Sequence, residues 1–490
     1  MRRTLLGFED TAMESIENTY RGPLPPGLPC ARAAFWSVLL LLLPAIASLA
    51  SASKLAKDLN GIDKSKTVDV IVQFSSPLSE SHHTKVKQHG GSLKRALGAV
   101  KGALYSVPAE ALERLAADPS VVYVSPDRKV YATLDYATPT VNASIATQSG
   151  WDGTGIGVAI IDSGVYSSHP DLLAKNKFRV VYSEAFNGST NVADEYGHGT
   201  HVAGIIGGNG ASSTGSVFTR TFKGVAPEAK LINLKVLDAS GQGTDSGVIA
   251  AISRAIQLKA QYNIRVINLS LGHPVYESYT TDPLGKAVAA AWQAGIVVVV
   301  AAGNEGRNNS KNTYGYGTIA SPGNHPLAIT VGAMKTVGTV SRGDDLIASY
   351  SAKGPTSVDH VVKPDLVAPG NRIISLYNSK NTLPTQYPEN RILWGYYATK
   401  WQTQPSATYY RLSGTSMATP VVSGTVAALL EKSPTLSPDQ VKARLMKTAT
   451  KSFPATSIAT DPVTGQTYVS QYDLFTIGAG YLDTWAALNS

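Results

Sequence analysis

From Gly150 onward the chain alternates short runs crowded with Val and Ile with longer stretches of helical periodicity. The runs are GIGVAIID (155–162), KLINLKVLD (230–238), IRVINLSLG (264–272), GIVVVVAAG (295–303) and LAITVGA (327–333). A strand that is apolar along its whole length cannot leave one face to water, so each run predicts a strand covered on both faces. The intervening stretches, such as SGVIAAISRAIQLKAQ (246–261) and PLGKAVAAAWQA (283–294), predict the covering helices. The expected fold class is therefore α/β, a parallel sheet with helices on both faces. Ligands of such sheets bind beyond the carboxyl ends of the strands, and functional residues are sought there.

Length and composition allow this and exclude other classes. A chain of 490 residues with 16% charged residues can bury a large core beside a smaller domain. The formal charge of +8 is not concentrated: residues 1–132 carry 16 Lys and Arg against 12 Asp and Glu, leaving an excess of four for the rest. No basic run with interleaved aromatics occurs, so nucleic acid is not an expected partner. One cysteine, Cys30, excludes a disulfide framework within the chain.

Before Gly150 the organisation differs. Residues 33–50, AAFWSVLLLLLPAIASLA, follow Arg21 and Arg32 and lead into Ala50-Ser51-Ala52, the layout of a secretory signal, so secretion is expected. An uncleaved membrane anchor is the alternative, at the lower edge of spanning length. Thereafter TVDVIVQF (67–74), GALYSVPA (102–109) and SVVYVSPD (120–127) read as strands. A polar helix holding His82, Lys85 and Lys87, and a second helix in AEALERLAADP (109–119), complete a small α+β domain. The expected organisation is an N-terminal segment with signal (1–53), this domain (67–127), an exposed cleavable linker (128–150) and the α/β domain (151–490).

Two histidines, His198 and His201, stand three apart in DEYGHGTHVAGIIGG (194–208), before an apolar helix. Two imidazoles on one helix face could clasp a metal, but the zinc-protease pattern is lacking and cysteine ligands are too few. A base, in turn, needs a nucleophile and a carboxylate supplied from elsewhere in the chain. Asp162 closes the strand GVAIID at the ligand edge; an isolated Asp-Ser-Gly is otherwise a turn cap. Ser416, in RLSGTSMATP, sits where the chain bends into a helix, whose free N–H groups favour a developing oxyanion. Pro420 is expected in the first turn of that helix, where a missing N–H matters little.

Together AIIDSGV, GHGTHVAG and GTSMATP resemble the subtilisin family of serine proteases, in the family's Asp, His, Ser order, over about residues 145–485. The resemblance implies a serine endopeptidase with His198 as base, Asp162 orienting it, Ser416 as nucleophile and Asn304 of AAGN as second oxyanion donor. His201 is then a packed helix residue. Protein or peptide substrates would lie extended between Ser270-Leu271-Gly272 and the segment ASGQG (239–243), with Ser240 and Gly241. Ala301, Ala302, Gly303 and Ala320 would wall the first specificity pocket, whose small apolar lining suits large hydrophobic side chains. Residues 307–318 are longer than in the family.

Residues 371–411 form an insertion with Tyr387, Trp394, Tyr396, Tyr397, Trp401, Tyr409 and Tyr410. It reads either as a lining of distal subsites or as a flap packing its own rings. The family often binds structural calcium, and Asp171 matches one ligand, although residues 207–227 do not reproduce the usual loop. The leader domain resembles an inhibitory propeptide, implying a self-processing zymogen cut between about Lys129 and Ser144. A monomer is expected. The sedolisin group, which also carries Ser-Gly-Thr-Ser, uses a glutamate base, and His198 argues against it. A catalytically silent scaffold conflicts with the full set of Asp162, His198, Ser416 and Asn304.

Overall fold

The computed structural model describes residues 54–55, 59, 61–97, 101–126, 137–174, 177–310, 312–400, 402–460 and 465–490. The expected signal at 33–50, Cys30, Trp401, residue 127 and residues 128–136 of the linker lie outside the described residues. The chain divides into two units, Met1–Tyr131 and Ala132–Ser490.

In the first unit β1 (Thr67–Phe74) is followed by α1 (Glu80–Gln88), β2 (Ser92–Leu97), β3 (Gly102–Pro108), α2 (Leu112–Ala117) and β4 (Val121–Pro126). The four strands form an antiparallel sheet in the order β2-β3-β1-β4. Val70, Val72 and Phe74 of β1 alternate into a core with Val86, Tyr105, Leu112, Leu115 and Val124. Sequence reading did not anticipate β2. It is an edge strand whose residues 92–96 are all exposed, so it carries no apolar alternation.

The second unit is built on the expected sheet. Its strands are β5 (Gly157–Asp162), β6 (Val180–Ala185), β7 (Lys230–Lys235), β8 (Ile264–Leu269), β9 (Val297–Ala301), β10 (Ile329–Lys335), β11 (Leu346–Ile347) and β12 (Leu366–Pro369). They run in the order β11-β10-β9-β8-β5-β7-β6, with β12 also on β10, and every pairing is parallel except that of β11. Every residue of β5 and β9 is buried, as the apolar runs 157–161 and 297–301 require, and Asp162 is buried with them. Two pairs of helices cover the faces: α5 (His198–Gly207) packs with α8 (Thr415–Lys432), and α6 (Asp245–Gln257) with α7 (Pro283–Gln293). No helix among the described residues is long and apolar enough to cross a membrane.

The second half of the expected linker is corrected by the structure. Residues 137–148 form α3 (Ala137–Thr140) and α4 (Ala143–Gln148), and Val141, Ala143 and Ala146 are fully buried in the main core. The segment is short of large apolar residues, but its small ones fit against α9 (Thr484–Leu488), near the end of the unit. Thr484 N–H donates to Val141 O at 2.8 Å, and Asn142 Nδ2 to Asp483 Oδ2 at 3.0 Å.

The aromatic insertion packs its own rings, as the second alternative expected, with Tyr397 meeting Tyr409 at 5.2 Å and Trp394 at 5.1 Å and Tyr377 meeting Tyr410 at 5.5 Å, but it does not stand apart from the body. Its strands β13 (Ile373–Leu376), β14 (Arg391–Leu393) and β15 (Pro405–Leu412) make a separate antiparallel sheet. Tyr377, Tyr397, Tyr409 and Tyr410 are fully buried. Tyr409 meets Phe222 with ring centroids 4.5 Å apart, and Tyr397 stacks on Phe218 at 5.6 Å. The rings therefore anchor the insertion to the 218–222 loop of the unit's body.

Asp171 belongs to the same anchorage, which corrects its assignment as a calcium ligand. It is wholly buried. Its Oδ1 accepts the Ser212 N–H at 2.7 Å, and its Oδ2 accepts the Tyr409 hydroxyl at 2.7 Å. The buried Arg179 guanidinium donates to the Asp171 carbonyl at 2.8 Å and also to that of Gly207. Both carboxylate oxygens thus face protein donors and a guanidinium lies beside them, so this locus does not fit a cation. Among the described residues no group of three or more His, Cys, Asp or Glu is placed to hold one.

Replacing Tyr409 by Phe removes a charge-assisted hydrogen bond and leaves a buried carboxylate oxygen unpaired. The expected loss is about 1.5–3 kcal/mol, read as a fall in thermal midpoint that added calcium does not reverse. Recovery of the midpoint in calcium contradicts this account of Asp171.

Candidate active site

Three elements bring the candidate residues to the carboxyl edge of the sheet. Asp162 is the last residue of β5 and is 1% exposed. His198 opens α5, and its Nδ1–H donates to Asp162 Oδ1 at 2.7 Å. The same oxygen accepts the Ser163 N–H at 2.7 Å, whereas Oδ2 has no partner among the described residues. This close approach requires glycine at 199: a Cβ there would stand 2.2 Å from Gly164 O and 3.2 Å from the Asp162 Cβ.

The amino end of α5 is held by Asp194, a residue whose role sequence reading missed. Its Oδ1 accepts Gly197 N–H at 2.7 Å and Tyr196 N–H at 3.1 Å, and its Oδ2 accepts Thr200 N–H at 2.9 Å. Ser163 Oγ donates to Asp194 at 2.9 Å and accepts Gly199 N–H at 2.9 Å. Helix-terminal N–H groups that would otherwise lack partners are thereby satisfied. The available signal was an Asp shortly before a helix start, the usual composition of a cap.

Charge tunes the two histidines in opposite directions. Burial by itself would depress the pKa of His198; the charge and hydrogen bond of Asp162, with the charge of Asp194, outweigh it and raise the pKa above the ordinary value. His201 is wholly buried, and burial followed by the charge of His198 pushes its pKa down to about 3. It is therefore neutral, and its Nε2–H faces the carbonyls of Ile373 at 3.2 Å and Tyr410 at 3.1 Å.

Ser416 is the second residue of α8. Its Oγ donates to Ser270 O at 3.0 Å, and its own carbonyl accepts Ser270 Oγ–H at 2.8 Å. That carbonyl is available because Pro420, four residues on, has no N–H to offer it. Pro420 thus lies one turn inside the helix rather than at its start, and its missing donor has a structural use. Buried Asn268 extends the link, donating to Ser270 Oγ at 2.9 Å and accepting from Ser423 Oγ at 2.8 Å. Ser270 directly follows β8, which lies beside β5 with Asn268 opposite Ile160, so Ser416 hangs from the strand adjoining Asp162.

Asn304 follows β9, and its Oδ1 accepts the Thr415 N–H at 2.9 Å and the Thr415 hydroxyl at 3.2 Å. With the carbonyl end fixed, Nδ2 is the free end of the amide, and no hydrogen bond among the described residues uses it. A cleft of about 610 Å³ opens here. It brings together Leu271, Gly272, Ala301, Gly303, Asn304, Ala320, Thr415 and Ser416, and Tyr316 of the long 307–318 loop adds to its wall. Tyr316 is held by Asp473 at 2.5 Å, a contact that nothing in the local sequence signalled.

Three expectations fall outside this cleft. Ser270 is 3% exposed, and its hydroxyl is spent on the Ser416 carbonyl rather than facing the opening. Ala302 is wholly buried in a cluster with Ile319 and Ala352, because alternation along the chain turns it away from the opening. Ser240 and Gly241 do not line it either. They sit in a turn closed by Asp238, with the Gly241 backbone packed on the Tyr196 ring.

Comparison with known proteins places this geometry. Residues 153–471 match the model of the subtilase family, Peptidase S8. The serine protease AprX of Bacillus subtilis (strain 168) is 36% identical over 399 residues, covering 79% of this chain and 83% of that protein. Subtilisin E of the same organism is 34% identical over 423 residues, covering 85% and 93%. That coverage is more than Ala132–Ser490 can supply, so the likeness reaches into the first unit. A crystal structure of a cold adapted subtilisin-like serine proteinase is 30% identical, with a TM-score of 0.43, and covers 61% of this chain and 83% of that one. The chain belongs to the subtilase family and is a serine-type endopeptidase.

Proposed function

We propose that Ser416, His198 and Asp162 act as nucleophile, general base and orienting carboxylate in the hydrolysis of peptide bonds, through an acyl-enzyme, and that the protein is made as a secreted zymogen. The observation that carries this reading is the 2.7 Å bond between His198 Nδ1 and Asp162 Oδ1. It fixes the tautomer that leaves Nε2 unprotonated and able to take a proton. Ser416 Oγ exchanges its bond to Ser270 O for one to that nitrogen when substrate arrives, since such contacts commonly tighten only in the complex. As Oγ attacks the carbonyl carbon, its proton passes to His198, and the imidazolium later gives it to the leaving amine. The oxyanion is met by Asn304 Nδ2 and the backbone N–H of Ser416.

Substrate lies extended along Ser270-Leu271-Gly272, with its first side chain in the cleft at Ala301, Gly303 and Ala320. Ser240 and Gly241 form a more distant wall behind Tyr196. The first unit serves as the inhibitory propeptide, supported by its compact sheet and by the extent of the likeness to Subtilisin E. Because Val141 and Ala143 are buried, the bond cut in processing falls between about residues 129 and 136. The apolar segment 33–50 is the secretory signal. Calcium binding, general among subtilisins, would have to use a locus other than Asp171.

The deciding experiment expresses the chain from Lys54 beside its Ser416→Ala counterpart and compares intact masses after refolding. Only the native chain should lose its leader, and only the native chain should take a fluorophosphonate on Ser416. Equal maturation of both chains removes Ser416 from the processing step.

Because the base acts unprotonated and its pKa is raised, the acid limb of kcat/KM is expected to have its midpoint above about 6.5. Asp194→Asn removes one of the charges that raise it, so the midpoint moves to lower pH. An unmoved midpoint in that variant shows that the charge of Asp194 does not tune His198.

Asn304→Ala keeps the backbone and deletes the donor. In subtilisin itself loss of this kind of donor lowers kcat about 10² to 10³-fold, and a similar fall with KM little changed is expected here. A variant that loses only substrate affinity would contradict the role given to Nδ2.

A further inference from the structure

The aromatic insertion touches the segment immediately before His198, residue by residue. Asn381 is buried, 2% exposed; in the amide orientation that satisfies both of its ends, Nδ2 donates to Asp194 O and Oδ1 accepts Gly197 N–H, each at 3.2 Å. Thr382 N–H donates to Glu195 O at 3.0 Å, and Leu383 N–H to Tyr196 O at 3.0 Å. Three successive carbonyls, of residues 194, 195 and 196, thus receive donors from three successive residues, 381, 382 and 383. Gly197, at φ +108°, has a backbone conformation that favours glycine, and a Cβ there would press on the Asn381 Cβ at 3.2 Å.

The other side of the same segment is gripped by the sheet. Buried Lys235, the residue paired with Asp162 across β5 and β7, donates to Ala193 O at 2.8 Å and to Glu195 Oε2 at 2.6 Å. The segment carrying Asp194, and through it the start of α5, is held between a rigid strand and the insertion. Thr382 also reaches outward: its Oγ1 donates to Ala239 O at 2.8 Å, in the loop whose Gly241 packs on Tyr196.

We propose that Asn381, Thr382 and Leu383 are positioning residues for His198, and that Thr382 couples the position of the base to the 239–243 wall of the substrate groove. The inference rests on the catalytic reading of His198 given above. Asn381 and the two backbone donors fix where α5 begins, and hence where the imidazole stands relative to Ser416. A base displaced by a fraction of an ångström loses rate without losing substrate, because alignment matters in the transition state more than in the bound state. Thr382 adds a tie that a peptide pressing on the 239–243 wall would load.

The test uses the full matured enzyme and normalises every rate to active sites titrated with a fluorophosphonate. Asn381→Ala is expected to lower kcat per titrated site about tenfold, with KM within about twofold of the native value. Thr382→Val, which keeps shape and backbone but deletes the hydroxyl, is expected to raise KM several-fold for peptides long enough to reach the 239–243 wall. Thr382→Ser should restore it. A purely structural role predicts instead fewer titratable sites with unchanged kcat and KM per site, and that result overturns the proposal. Unchanged KM in Thr382→Val overturns the coupling, and since this partly exposed position tolerates the swap, the outcome does not hinge on whether Asn381→Ala folds. Failure of the catalytic reading is separately visible, because native enzyme would then take no fluorophosphonate at Ser416.

Discussion

The hydrogen bond from the Ser270 hydroxyl to the Ser416 carbonyl joins the sheet to the helix that carries the proposed nucleophile. A carbonyl inside an α-helix normally belongs to the N–H four residues later, and here Pro420 removes that claim. The freed acceptor is taken by Ser270, itself held by Asn268, which Ser423 anchors to the same helix. These groups are buried, so each would be costly if unpaired, and the network has one satisfactory arrangement. Proline in a helix, usually a defect, here sets the register between β8 and α8.

A second constraint acts on His198, the proposed base. Asp162 lies at the end of a strand buried on both faces and cannot move without the sheet. His198 must come to it, and the amino end of α5 is therefore fixed by many small bonds: Asp194 and Ser163 from within, Lys235 from the sheet, and residues 381–383 from the insertion. The site is built on element ends but stiffened by loops.

Much of this could be read from the sequence because it depends on local pattern. The apolar runs at 157–161 and 297–301 announce strands covered on both sides, and the three motif segments each place one candidate residue at an element end. What escaped reading depends on partners distant in the chain. Strand β2 is exposed and has no alternation to detect. Val141, Ala143 and Ala146 are too small to advertise a core position, yet α9 lies against them. Asp171 looked like an oxygen ligand because its neighbours matched a family motif; the hydroxyl that pairs with it comes from Tyr409, 238 residues away. Asn381 gave no signal at all, since a side-chain amide facing a loop has no sequence period.

The meeting of α4 with α9 has a topological meaning. Val141 accepts from Thr484, and Asn142 reaches Asp483, so the two ends of the second unit close upon each other. The stretch from Val141 to Thr484 is therefore a loop sealed without a covalent bond, and new chain ends opened elsewhere, in an exposed turn, would leave its circuit of contacts intact.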